Sequence, residues 1–163
     1  MARTLTFATR IVSLLGRIDI TDSSSEQLAY YAKGEFALLK RRWRIYDHNN
    51  QELMQIHHKR LAIRPTFVVS GQLGPMTLQR KFFSLKREYW VTGGPYEGAV
   101  FKGNLLDLAF TITRNNQLLA KASEKLLSIR DTHNVEVLTD SHDDELFTVL
   151  AVVAMQLEKK ASD

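Results

Sequence analysis

The run ELFTVLAVVAMQLEKK, which begins at Glu145, limits the possible folds more than any other stretch. From Leu146 to Met155 only Thr148 is polar. A surface helix has one apolar stripe and one wet face, whereas a helix that is apolar all round must be enclosed. The enclosure can be a bilayer, a partner or the rest of the chain. These ten residues would span about 15 Å as a helix, half of a hydrocarbon core of about 30 Å. Asp143, Asp144 and Glu145 stand just before the apolar run, and Glu158, Lys159 and Lys160 follow closely. No transmembrane span is therefore expected, and the chain itself is the expected enclosure. Ser141 is the expected N-cap, with Asp144 approximating a capping box three residues later. The acidic residues sit at the positive end of the helix dipole and the lysines at its negative end.

The enclosing structure can be read from the middle of the chain. WRIYD, FVVSG, YWVTGG and FTITRNN are short, rich in aromatic and β-branched residues, and close on turn formers. Each is followed by a second run: QELMQIHHK, MTLQRKFF, YEGAVFKG and QLLAKASEK. The intervening DHNN, SGQLGP, GGP and RNN supply the Asn and Gly that tight hairpins favour. The lead aromatics Trp43, Phe67, Tyr89 and Phe110 recur at steps of 24, 22 and 21 residues, a period that signals repeated supersecondary units. RIDITDSSSEQLAYYAKGEF fits the same plan, and a last strand is expected near Asn134–Leu138.

Alternation assigns the faces. Trp43 and Ile45 share a dry face opposite Arg42, Arg44 and Tyr46, and Phe110 and Ile112 oppose Thr111 and Thr113. The same parity sets Leu61 and Ile63 opposite Arg60 and Arg64. An antiparallel sheet this long must curl, close or split to hide its edges. A barrel of about twelve strands is too wide for its own side chains to fill, and the apolar helix can occupy the middle. The expectation is one domain over residues 1–163, with a central helix at about 143–160.

Composition narrows the chemistry. The chain has no cysteine, which excludes disulfides, thiolate metal sites and a cysteine nucleophile. In MARTLTFATRIVSLLGR the arginines 3, 10 and 17 interrupt the apolar residues, so no secretory signal is expected. The net charge of +4 is uneven: residues 1–81 carry 13 Lys+Arg against 6 Asp+Glu, and the remainder carry 9 against 12. That polarity suggests a positive face for an anionic partner.

IYDHNNQELMQI (Ile45–Ile56), AKASEKLLSIRDTHNVEV (Ala120–Val137) and the apolar helix after an acidic turn resemble the LURP-one-related proteins. The likeness runs from about Leu14 to Lys160. Members of that family are similar to the tubby C-terminal domain and the phospholipid scramblases. The resemblance implies a mainly β fold, an about twelve-stranded antiparallel tubby-like barrel enclosing a hydrophobic C-terminal α-helix. It also implies a domain that acts at membranes, because tubby domains bind phosphoinositide headgroups through basic side chains. No lipid ligand of those domains can be matched to a position here. The calcium-binding acidic segments attributed to scramblases have no counterpart.

The strongest local feature is KRRWRIYDHNNQELMQIHHKRLAIR, residues 40–64, with seven Lys+Arg against Asp47 and Glu52. On strand parity Arg42, Arg44, His57, Arg60 and Arg64 all point away from the dry face, forming one basic stripe. Arginine forks suit phosphate oxygens, so these five are the candidate lipid-headgroup residues. The alternative is solvating charge that protects the barrel from edge pairing. His57 and His58 point to opposite faces and cannot easily share a metal. His142, Asp143 and Asp144 are better explained by helix capping, and the glycines of SGQLGPM and VTGGPYEG by turns. No catalytic set, metal site or cofactor is expected. Trp43 faces the core, which weakens a nucleic-acid reading by removing a stacking platform.

The sequence thus supports a non-enzymatic membrane-surface or scaffold module that binds anionic phospholipid headgroups, cytoplasmic and peripheral at the membrane. The alternatives are a small-ligand carrier or enzyme using a pocket at the barrel rim, and a protein-interaction adaptor.

Overall fold

The computed structural model describes residues 2–10, 16–37, 40–59, 62–81, 87–104, 109–122 and 132–162. Its strands are β1 (Arg3–Arg10), β2 (Arg17–Asp22), β3 (Leu28–Ala37), β4 (Lys40–Asp47), β5 (Glu52–His58), β6 (Thr66–Gly71), β7 (Met76–Arg80), β8 (Arg87–Thr92), β9 (Val100–Asn104), β10 (Ala109–Arg114), β11 (Gln117–Ala122) and β12 (Thr132–Val137). Helix α1 follows at His142–Ser162. Each strand pairs antiparallel with its neighbour in sequence, and β1 closes on β12. The result is a closed meander barrel with no free edge.

Period-two alternation builds the interior. Successive strands send pairs of side chains inward, among them Leu5 and Phe7, Ile18 and Ile20, Trp43 and Ile45, Met54 and Ile56, Phe110 and Ile112, and Val135 and Val137. All are buried. The four periodic aromatics Trp43, Phe67, Tyr89 and Phe110 all belong to this inner layer. Against it lies α1, buried at every position from Leu146 to Met155. Phe147 stacks on Tyr96 at 4.1 Å between ring centroids and meets Phe101 edge-on at 5.4 Å. Thr148, the one polar residue of the run, returns its hydroxyl to the Asp144 carbonyl at 2.8 Å, so its burial leaves no lost hydrogen bond.

Local chemistry fixes the turns. Asn115 and Asn116 both have positive φ, 50° and 62°, as a two-residue type I′ hairpin requires. Gly71 holds φ 117°, and a Cβ there would run into the Leu53 carbonyl. Ser141 caps α1 as expected, accepting from the Asp144 amide at 3.3 Å. Asp144 does not complete a capping box: its carboxylate takes the hydroxyls of Tyr96 (2.6 Å) and Thr139 (2.7 Å). Tyr96 itself lies in the β8–β9 loop rather than on the strand expected from YEGAVFKG.

The N-terminal stretch, which the hairpin repeat leaves unassigned, forms β1. It alternates Leu5 and Phe7 inward with Thr4, Thr6 and Ala8 between them. One further expectation is corrected. The strand that was to place Leu61 and Ile63 on the dry face ends at His58, and Ile63 is 90% exposed. The ladder stops because Ala62 N turns back to Lys59 O (3.5 Å) and Pro65 has no amide to donate. Leu61 lies outside the described residues.

Val149 and Val152 are fully buried, and aspartate at either site would put an unpaired charge in the core at a cost of several kcal/mol. Such a loss rivals the ~5–15 kcal/mol stability of a whole domain. Val149→Asp and Val152→Asp are expected to lose the cooperative thermal transition in circular dichroism. Leu150→Ala should still fold, with stability lowered by about 2–5 kcal/mol. A soluble, cooperatively melting Val152→Asp would refute an enclosed helix.

Candidate functional site

The antiparallel ladder of β4 and β5 sets the basic wall. Arg42 stands opposite His57, and Arg44 opposite Gln55. On the other side Lys33 of β3 faces Arg44. Because Trp43, Ile45 and Ile56 occupy the alternate, buried positions, these polar side chains share the outer surface. Arg44 is already engaged: its Nε lies 3.1 Å from Glu35 and its Nη1 3.0 Å from Glu52. The structure thus brings Arg42, Arg44 and His57 together. Arg64 is exposed in the loop between β5 and β6, not on a strand. Arg60 lies outside the described residues. His58 turns the other way and packs on Phe67 at 5.3 Å between rings.

A second basic cluster escaped sequence reading. Arg64, Arg80 and Lys81 line two adjoining shallow clefts of about 200 Å³ each, one bounded by Pro65 and the other by Gln79 and Trp90. Pairing creates it: Thr66 opposes Gln79, and Gln79 opposes Trp90. Trp90 is 45% exposed and donates its indole N–H to Glu88 Oε1 at 2.8 Å. The Lys81 ammonium sits 5.7 Å over the Trp90 ring and 3.8 Å from the Glu88 carboxylate. Arg64 lies far from Arg80 and Lys81 in sequence, and Arg80 has the parity of the inward-facing Leu78, so strand alternation pointed to Arg64 alone.

At the opposite end of the barrel, where α1 begins, Glu145 is buried. Arg3 Nη1 donates to both of its oxygens at 2.7 Å, and Tyr30 donates its hydroxyl to Oε1 at 2.7 Å. Arg3 Nε also reaches Asp22 Oδ2 at 2.6 Å. Hydrogen bonds from Ser24, then from Arg3, hold the Asp22 carboxyl well below the usual carboxylate range. Burial, then the bond to Glu145, pushes the Tyr30 phenol above its ordinary value, and burial with Asp144 does the same for Tyr96. A cavity of about 320 Å³ lies beside this network, lined by Arg3, Asp22, Tyr30, Asp47, His48, His142 and Glu145 among others. The sequence signal was available: Arg3 opens a strand, and Glu145 adjoins the apolar run. Their partnership spans 142 positions, so only closure of the barrel reveals it. With its oxygens held by Arg3 and Tyr30, Glu145 joins the helix to the wall. Among the described residues no group of three or more His, Cys, Asp or Glu side chains is placed to hold a metal ion. No helix there is long and apolar enough to cross a membrane.

A closed meander of twelve antiparallel strands around one apolar helix defines the class of tubby-like barrels. The chain belongs to the LURP-one-related family, whose model matches residues 3–156. Among solved structures, the X-ray structure of a protein from Arabidopsis thaliana resembles it with a TM-score of 0.63. The two share 15% identity, and the match covers 95% of this chain and 91% of that one, a likeness of fold. Comparison with curated proteins finds no match.

Arg3→Gln would leave the Glu145 carboxylate buried without its cation and should cost roughly 1–3 kcal/mol in denaturant unfolding. Glu145→Gln, which removes the charge as well, should cost less. Equal stability of wild type and Arg3→Gln would show that the pair does not hold the helix end.

The tyrosines predict an alkaline limit. Their raised values mean that the folded state keeps protons the unfolded chain releases. The stability they contribute is complete below pH about 10 and declines as pH rises further. In a spectrophotometric titration, Tyr30 and Tyr96 should ionise only as the protein unfolds, and Tyr30→Phe should flatten the alkaline limb. Asp22 acts oppositely. Its contribution is present above the ordinary carboxylate range near pH ~4 and fades as pH falls below it, so Asp22→Asn should flatten the acid limb.

Proposed function

We propose that this barrel is a non-enzymatic, peripheral module that recognises anionic phospholipid headgroups at a cytoplasmic membrane surface through its basic outer wall. The observation that carries the reading is the β4–β5 register, which sets Arg42, Arg44 and His57 side by side outside while their neighbours fill the core. Arg64 extends the positive surface beyond the strand ends. Arginine offers phosphate a planar fork of donors, and each basic side chain near an anionic bilayer contributes about 1 kcal/mol. Arg44 contributes less than Arg42, because Glu35 and Glu52 already offset its charge.

A second reading rests on the cavity beside Glu145, whose volume of about 320 Å³ suits a small ligand. A molecule retained by the purified protein in native mass spectrometry, and released by Tyr30→Phe, would favour it.

Co-sedimentation with vesicles tests the first reading. Binding is expected with phosphatidylserine-containing vesicles and not with pure phosphatidylcholine, and it should weaken as salt rises. The combined change of Arg42, Arg44, Arg60 and Arg64 to Gln should reduce it by at least about tenfold. Undiminished binding by that variant would remove the wall from the function. Absence of binding by the wild type at low salt would end the lipid reading.

A further inference from the structure

We infer that the barrel docks on an anionic bilayer end-on, with the β5–β6 loop inserting Ile63 and with Trp90 resting at headgroup depth, so that the Arg64–Arg80–Lys81 clefts meet the phosphates. This rests on the lipid reading above and adds an orientation and an apolar component to it.

Three large apolar side chains are exposed among the described residues: Ile63 at 90%, Trp90 at 45% and Leu118 at 37%. Leu118 lies near the start of β11, at the end where α1 begins. At the opposite end, where β5 and β7 finish and β6 and β8 start, Trp90 lines one basic cleft, and Ile63 directly precedes Arg64, which lines both. The loop that carries Ile63 is closed at its base. Lys59 N bonds to Thr66 O at 2.8 Å, and Arg80 N bonds to Pro65 O at 3.1 Å. The isoleucine thus projects from a braced loop next to Arg64. Trp90 is three residues into β8, roughly 10 Å along a strand that rises about 3.3 Å per residue. Its ring is apolar, its N–H is satisfied by Glu88, and Lys81 covers it. Such amphipathic rings favour the headgroup layer. An exposed isoleucine, an interfacial tryptophan and three cations in one patch offer a bilayer both burial and charge. The cations favour an anionic bilayer over a neutral apolar partner.

Two readouts separate this orientation from the headgroup reading. In phosphatidylserine vesicles with brominated acyl chains, Trp90 emission should be quenched. Buried Trp43 should keep its emission, and Trp90→Phe should abolish the quenchable component. Ile63→Asp, at a site with no packing role, should lower vesicle binding at least about tenfold with an unchanged melting temperature. Arg80→Gln with Lys81→Gln should lower it further and reduce its salt dependence. If anionic vesicles bind but bromolipid leaves emission unchanged and Ile63→Asp binds as wild type, end-on docking is wrong and the headgroup reading survives. If no anionic vesicle binds, both fall. A dimer in sedimentation velocity that Ile63→Asp dissolves would assign the face to a second copy of the chain and overturn the proposal.

Discussion

A helix without a polar face and a sheet too wide to fill itself each solve the other's problem. The twelve strands close into one barrel, so among the described residues no strand stands at an edge. Closure at that number leaves a hollow that inward side chains alone do not reach across. The helix supplies the missing volume, and the barrel supplies an enclosure on every side of Val149, Leu150 and Val152. Dispersion contacts such as Phe147 against Tyr96 and Phe101 are individually small and collectively large. The display of Arg42, Arg44 and Thr111 away from the core accompanies this mutual filling.

On β4 the two faces divide the labour. The same β4 that gives Trp43 and Ile45 to the core gives Arg42 and Arg44 to the surface. A strand built this way can vary its outer charge without touching its packing, because a side chain changes face only if the register slips. At the helix end a polar group enters the barrel in company, as Glu145 does with Arg3 and Tyr30.

Much of the fold was legible because it rests on local signals. The recurrence of Trp43, Phe67, Tyr89 and Phe110 marks the hairpins, and the Asn and Gly between them mark the turns. The helix ends came within two residues, the ordinary uncertainty of a fraying terminus. What was lost depended on weighing one signal over another. In β1 the arginines drew attention away from a clear alternation of Leu5 and Phe7. Around Ile63 the alternation was carried past the strand end, although Pro65 was visible as a stop. The site was legible only where one hairpin holds it: Arg42 and His57 are a single turn apart in the chain. The Arg64–Arg80–Lys81 clefts and the Arg3–Glu145 pair join residues whose proximity is decided by register and closure, which no short window of sequence contains.

The pairing of β1 with β12 has a kinetic side. Strand β1 borders β2 on one side and waits for Thr132–Val137 on the other, so one of its ladders stays open until almost all of the chain is present. The helix that fills the interior comes later still. Hairpins can form early and locally, but the step that seals the barrel must bring together residues more than a hundred positions apart, at a large cost in loop entropy. Until then the inner face of every hairpin is an exposed apolar surface. The seam between β1 and β12 is therefore among the costliest contacts of the fold in loop entropy.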